Sequence, residues 1–239
     1  MHPDIDILLD FLRYPLGSTE SIFERFTRLP NAQSFGNGNE RSVFVPGSRR
    51  NKVLLIAHAD TFWDNDAAYS SIGEIVVENG LISNPTSGLG ADDRAGCAIL
   101  WLLKDIGHSL LITSGEEKGS LASKNLTESH TRFLKTLNED HQFMVQFDRC
   151  NGKDFKCYDV GSDDFRSYIE KTTNYIEADR KRSTDIKYLC KTVCGVNLSI
   201  GYTNEHTQDE TLVFDEWQYT LETAKGWLNG PYLPRFPLI

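Results

Sequence analysis

Residues 53–60 read VLLIAHAD, and this stretch decides the fold. Val53–Ala57 is continuously apolar, and Leu110–Thr113 is a second short run of the same kind. Such runs are typical of parallel strands, because helices cover both faces of a parallel sheet and bury every side chain. Helical patterns alternate with the runs along the chain. The sequence therefore predicts a three-layer α/β/α fold of the α/β class, with a mixed, mostly parallel central sheet.

The rest of the chain supports this alternation of strands and helices. Apolar runs predict strands at Ser42–Val45, Val53–Ala57, Leu110–Thr113, Phe143–Phe147 and Val196–Ile200. Helical spacing predicts helices within residues 3–29 and at Asp93–Ile106, Ser129–Leu137, Phe165–Thr172, Asp185–Val193 and Glu216–Leu228. Asn79-Gly80 predicts a β-hairpin over Gly73–Ile82. No linker or repeat divides the sequence, so we expect a single domain over residues 1–239.

Composition excludes several classes of protein. The 239 residues carry a net charge of −9, which argues against a nucleic-acid partner. The longest apolar stretch, Ala95–Leu103, is too short to cross a membrane, and the first residues lack the basic start of a signal peptide. We therefore expect a cytoplasmic protein with no membrane partner and leave the oligomeric state open. The five cysteines are interpreted as reduced, with a Cys150–Cys157 pair left open.

Chemically active side chains follow the predicted strands. In open α/β sheets, ligands bind beyond the carboxyl ends of the strands. The residues that follow the strands or precede the helix after them are His58, Asp60, Asp92, Asp93, Glu116, Glu117, Asp148, Arg149, Glu205 and His206. So many carboxylates at one edge repel one another unless a cation lies among them. The sequence therefore predicts a cation site at this edge.

The types of side chain indicate which metal binds and how many ions bind. Imidazoles and carboxylates without a required thiolate suit zinc, with manganese or cobalt as alternatives. Two histidines and three carboxylates are too many for one four-coordinate ion that keeps an open position. They fit two divalent metal ions that share one carboxylate and activate a hydrolytic water.

The order of five motifs resembles the di-zinc exopeptidase superfamily, which includes peptidase T-like and leucine aminopeptidase-like enzymes. The motifs are HAD (58–60), GLGADDRAG (88–96), SGEEKGS (114–120), QFDR (146–149) and NEHT (204–207). The resemblance implies that His58, Asp92 and Asp148 bind one zinc ion. It implies that Asp92 also bridges to a second ion, which Glu117 and His206 bind.

The same resemblance assigns two further roles. Glu116 would be the general base, and Asp60 would orient the imidazole of His58. Many relatives have a cis peptide bond after the bridging aspartate, so we expect one between Asp92 and Asp93.

One departure from the lid-bearing relatives concerns size. Only 58 positions separate Asp148 from His206, which leaves no room for the inserted lid or dimerisation domain. We therefore expect a catalytic domain whose own loops shape the site. The candidate loops are residues 62–71, 151–164 and 202–209, and Phe62 and Trp63 are candidate walls of a side-chain pocket.

The function predicted by the resemblance is that of a zinc-dependent exopeptidase acting on small peptides, with an aminopeptidase favoured over a carboxypeptidase. One alternative is an amidase or deacylase of N-acyl amino acids or small amides with the same metal centre. A second alternative is an inert relative that only binds, although the presence of Glu116 and all five ligand positions speaks against it. A Rossmann nucleotide site is rejected, because the glycine spacing is wrong and two acids lie where a pyrophosphate would bind.

Overall fold

The structure, a computed structural model, describes residues 3–69, 74–179 and 184–238. Its helices are α1 Pro3–Leu12, α2 Glu20–Thr27, α3 Ala91–Leu103, α4 Leu121–Ser129, α5 Thr131–Asp140, α6 Asp163–Thr173, α7 Asp185–Leu189 and α8 Phe214–Leu228. Its strands are β1 Gln33–Phe35, β2 Ser42–Val45, β3 Leu54–His58, β4 Val76–Glu78, β5 Leu81–Ser83, β6 Ser109–Thr113, β7 Met144–Arg149, β8 Asp154–Lys156, β9 Ile176–Glu177, β10 Gly195–Ser199, β11 Tyr202–Thr203 and β12 Thr211–Val213.

The central sheet contains eight strands in the order β1-β2-β6-β3-β7-β10-β8-β9. Its middle, β6-β3-β7-β10, is parallel, whereas β2 and β8 run antiparallel to their neighbours β6 and β10. The predicted α/β fold with a mixed, mostly parallel sheet is confirmed. Because the four middle strands are parallel, their carboxyl ends share one edge of the sheet, as the sequence predicted.

A second sheet of four short strands, in the order β11-β12-β5-β4, was not predicted. The predicted hairpin supplies β4 and β5, joined by Asn79 and Gly80, which both have positive φ as a type I′ turn requires. Gly73 lies outside the described residues. The hairpin is not isolated, because β12 pairs with β5 through Thr211–Val213. This pairing holds the loop that carries His206 beside the central sheet.

Both ends of the chain pack on the body of the molecule. Phe11 in α1 is fully buried, and its ring lies 6.5 Å from that of Trp101 in α3. At the other end, the ring of Phe236 lies 5.0 Å from that of Phe165. The proline-rich tail is therefore part of the core, where it adds an isolated bridge between Val193 and Pro237.

The observed boundaries differ from the predicted ones by a few residues. Asp92 and Asp93 have non-helical φ and ψ, so the regular turns of α3 begin after Asp93, the predicted start, whereas β7 continues to Arg149, two residues past the predicted end. Both differences are local backbone geometry that hydrophobic periodicity does not report. All five cysteines are buried and none of them forms a disulfide, so the Cys150–Cys157 pair left open is not formed. No helix among the described residues is long and apolar enough to cross a membrane.

Candidate metal centre

Asp92 lies between two histidines at the carboxyl edge of the central sheet. Its Oδ1 is 3.1 Å from Nε2 of His58, and its Oδ2 is 3.2 Å from Nε2 of His206. The peptide bond between Asp92 and Asp93 is cis, as the resemblance implies. One carboxylate thus turns a different oxygen to each imidazole, which is the arrangement that a bridging ligand needs.

The other two predicted ligands complete two groups around Asp92. Oδ1 of Asp148, at the end of β7, is 3.4 Å from Nε2 of His58. Oε2 of Glu117, after β6, is 2.9 Å from Nε2 of His206. The structure therefore brings all five predicted ligand residues together, with Asp148 beside His58, Glu117 beside His206, and Asp92 beside both.

The chemistry of these side chains fits two divalent cations. Oε1 of Glu117 is buried and has no hydrogen-bond partner, which is costly unless an ion or a water satisfies it. Burial raises the pKa of Glu117 to about 7, whereas hydrogen bonds that the His206 imidazole donates to the carboxylates of Asp92 and Glu117 raise the pKa of His206 to about 10. In the absence of a cation, protons must balance this cluster. Cations that bind the same atoms would replace those protons.

Asp93 is a nearby carboxylate with a different environment. The ligand atoms of His58, Asp93 and Asp148 lie within 4.8 Å of one another, as do those of His58, Asp92 and Glu117. However, Oδ2 of Asp93 accepts a hydrogen bond from the His58 backbone N–H (3.0 Å), and Oδ1 accepts one from Gly96 (3.1 Å). One oxygen thus bonds to β3 and the other to the first turn of α3. We therefore interpret Asp93 as a structural residue rather than a metal ligand.

Asp60 connects the two halves of the site. Its Oδ1 and Oδ2 accept hydrogen bonds of 3.2 Å from the backbone N–H groups of Glu116 and Glu117. Its backbone carbonyl lies 3.0 Å from Nδ1 of His58. A donor at Nδ1 leaves the lone pair of Nε2 directed at the carboxylates, which is the form of histidine that binds a metal.

Glu116 lines the cavity next to this centre. The cavity has a volume of about 120 Å³, and its walls include Asp92, Glu116, Glu117, Asp148, Arg149, Cys150, Tyr158, Thr184, Asn197, Tyr202 and His206. Burial and the nearby Asp148 carboxylate raise the pKa of Glu116 well above its usual range. A carboxyl group with a raised pKa beside a metal centre is suited to accepting and returning a proton.

Sequence reasoning did not identify Glu210 as part of the site. Its two carboxylate oxygens accept hydrogen bonds from the backbone N–H groups of Gly90 (2.6 Å) and Asp92 (2.9 Å). This buried carboxyl group fixes the loop that presents the bridging aspartate, and burial raises its pKa to about 8. No local pattern marks Glu210, because its partners lie about 120 positions away in the sequence.

The two candidate wall residues after the HAD motif have different positions. The Phe62 ring is 55% exposed and stacks on the imidazole of His206 at 5.0 Å. Trp63 is buried, 5.5 Å from Tyr69. Phe62 is therefore placed to meet a substrate, whereas Trp63 packs inside the protein. Residues 70 and 71 of this loop lie outside the described residues.

Comparison with known proteins supports the fold. No family model and no curated protein matches the sequence. Among solved structures, the aminopeptidase PepT from Bacillus cereus is similar with a TM-score of 0.67 and 12% identity over 95% of this chain and 97% of that one. A Staphylococcus aureus tripeptidase has a TM-score of 0.66 and 12% identity over 95% and 98%.

A third similar structure is the TET1 peptidase from Pyrococcus horikoshii. It has a TM-score of 0.64 and 15% identity over 93% of this chain and 98% of that one. That peptidase is described as assembling into a tetrahedron or a large octahedral shell. The expected likeness to aminopeptidases is thus confirmed at the level of the fold.

Proposed function

We propose that this protein is a metal-dependent aminopeptidase that hydrolyses small peptides at a centre of two divalent ions, with zinc as the preferred metal. The observation that carries the proposal is the position of Asp92, whose two oxygens face His58 and His206 separately. The shared fold with three peptidases adds support. We further propose that residues 1–239 act as a single catalytic domain without an inserted lid.

The chain's own residues suggest how hydrolysis would proceed. Divalent ions held by the five ligands would supply Lewis acidity and lower the pKa of a water molecule. Glu116 lies in the wall of the same cavity, where its carboxylate accepts the proton of the attacking water and returns it to the leaving amine. Asp60 holds the turn that carries Glu116 and Glu117, so it keeps the general base and a ligand in fixed relation.

The proposal is tested by replacing Glu116 and screening substrates. The zinc-loaded protein is assayed on aminoacyl anilides, dipeptides and N-acyl amino acids, and Glu116→Gln is compared with Glu128→Gln, an exposed control on α4. We expect the first variant to keep its metal and lose at least about a hundredfold in kcat. The control should retain full activity.

Three outcomes would contradict parts of the proposal. Full activity of Glu116→Gln would remove Glu116 as the general base. Hydrolysis of N-acyl amino acids without hydrolysis of aminoacyl substrates would favour the amidase alternative. Metal binding without turnover of any substrate would favour a binding protein.

A further inference from the structure

Arg149 has no role in the proposed hydrolysis, although it lines the same cavity as the metal ligands. It directly follows Asp148 at the end of β7, and it is only 6% exposed. Among the described residues that line the cavity, it is the only Arg or Lys. Its neighbour in the chain, Asp148, is a predicted metal ligand that lines the same cavity.

The surrounding residues fix the guanidinium of Arg149. Its Nε donates a hydrogen bond of 2.9 Å to Oδ1 of Asp154 in β8. Tyr158 lines the cavity and has a φ of 51°, a left-handed conformation that is uncommon for a bulky residue. Backbone strain of this kind persists where the surrounding structure holds a side chain in place for a function.

The chemistry of the guanidinium indicates what it would bind. Arginine offers five N–H donors, and the contact with Asp154 uses the one on Nε. The two terminal nitrogens carry the other four, in the planar arrangement that binds a carboxylate through two parallel hydrogen bonds. An arginine needed only to pair with Asp154 would not have to lie in the cavity wall.

We infer that Arg149 binds a carboxylate of the substrate and so restricts the peptidase to short or acidic substrates. This inference rests on the proposed function. The carboxylate comes either from the carboxyl terminus of a dipeptide or from an aspartate or glutamate side chain next to the scissile bond. The cavity of about 120 Å³ is smaller than the roughly 300–1,000 Å³ typical of ligand pockets, which suits a group of this size.

The test compares matched substrates that differ only in one carboxylate. Leu-Leu is compared with Leu-Leu amide, and aspartyl anilide with asparaginyl anilide, using the zinc-loaded wild-type protein and the variant Arg149→Met. We expect the wild type to prefer the carboxylate in one pair, which identifies its source. Arg149→Met should lower kcat/KM on that substrate about tenfold to a hundredfold, mainly through KM, and leave its neutral partner within about twofold.

Two further variants separate recognition from structure. Arg149→Lys keeps the charge and should restore part of the preference. This variant also tests the inference if Arg149→Met does not fold. Arg28→Met removes an exposed arginine that directly follows α2 and should leave the preference unchanged. If Arg149→Met lowered kcat/KM equally on both members of each pair, or if the wild type showed no preference in either pair, the inference would be wrong and the peptidase proposal would stand.

A binding measurement keeps the two proposals distinguishable if no substrate is hydrolysed. Calorimetry uses the zinc-loaded protein with the α-amides of L-aspartate and L-asparagine, with Leu-Leu and with Leu-Leu amide. Arg149→Met should weaken binding of a carboxylate ligand about tenfold or more and change binding of its neutral partner by no more than about twofold. Equal binding of the carboxylate ligands by the wild type and Arg149→Met would overturn the role of Arg149, whatever the catalytic result.

Discussion

Histidines at the two ends of the central strands have opposite environments. At the carboxyl end, His58 and His206 face carboxylates, and their pKa values lie above the usual range. At the amino end, His108 precedes β6 and His141 precedes β7, and burial lowers the pKa of each to about 4. This comparison shows that the groups around a buried histidine, rather than its burial, indicate whether it can bind a metal.

The two histidines at the amino end are structural residues, because both nitrogens of each ring are hydrogen-bonded. Nδ1 of His108 accepts a hydrogen bond from the Val53 backbone N–H (3.1 Å), and Nε2 donates to the Leu228 carbonyl (3.0 Å). In His141 the two nitrogens exchange roles, because Nδ1 donates to the Leu137 carbonyl (2.7 Å) and Nε2 accepts from the Ser109 hydroxyl (2.8 Å). Each imidazole is therefore fully satisfied as a neutral ring, and neither has a lone pair left for a metal.

The carboxyl-end pair has the opposite arrangement. Nε2 of His58 is surrounded by oxygens of Asp92 and Asp148, and Nε2 of His206 by oxygens of Asp92 and Glu117. Acceptor atoms at these distances need a proton or a cation between them. We interpret this edge as the metal centre and the other edge as part of the core.

The largest expected effect comes from Asp92→Asn compared with Asp93→Asn. Asparagine at position 92 cannot share a charged carboxylate between two ions, so kcat/KM should fall at least about a thousandfold and the metal content should drop. Both oxygens of Asp93 accept backbone hydrogen bonds, so asparagine there should cost stability because its NH2 group meets one of those N–H donors, but the metal should be retained and kcat/KM should stay within about tenfold.

The two variants are compared by elemental analysis and by turnover. If Asp93→Asn lost its metal while Asp92→Asn kept it, the ligands would be His58, Asp93 and Asp148 instead.

A smaller effect is expected from Asp60→Asn. The asparagine would keep one acceptor for the turn of Glu116 and Glu117 and lose the charge near Nδ1 of His58, 3.4 Å away. We expect metal affinity or kcat/KM to fall about 10- to 100-fold. Asp105→Asn, an exposed aspartate just after α3, is the control and should change neither quantity by more than about twofold. Equal effects of the two substitutions would show that Asp60 does not position the centre.

The last effect concerns the amino-end histidines and is seen in stability. The folded protein keeps His108 neutral to about pH 4, whereas the unfolded chain binds a proton near its ordinary pKa of about 6.5. Between these values the unfolded state holds more protons, so the free energy of unfolding falls as the pH falls from about 6.5 to about 4, by about 3 kcal/mol for this residue.

Urea unfolding of the metal-free protein between pH 7 and pH 4.5 measures this contribution. His108→Gln should have a shallower loss of stability than the wild type, whereas His130→Gln, which contacts Phe35 near the surface, should keep the wild-type slope. A His108→Gln slope identical to that of the wild type would show that the buried imidazole does not resist protonation.

The sequence predicted which residues the structure brings together at the carboxyl edge of the sheet, because these residues follow strands that could be recognised locally. His58 ends an apolar run, and Glu116 and Glu117 follow another, so topology alone brings them to one edge. The role of Glu210 was not predicted, because no sequence pattern around a glutamate in a loop reveals its hydrogen bonds to Gly90 and Asp92.

The second sheet was not predicted from the sequence for a related reason. Strands β11 and β12 are two and three residues long, too short for alternation to be recognised, and they form only through pairing with distant chain segments. The role inferred for Arg149 also needed the structure, since the sequence places it at a strand end without showing the cavity it lines.

The central claim is that Asp92 is shared by two metal ions, and a count of bound metal tests it most directly. After loading with zinc and removal of the excess, elemental analysis should give close to two ions per chain for the wild type and no more than one for Asp92→Asn. A wild-type protein that held one ion or none after this treatment would contradict the account.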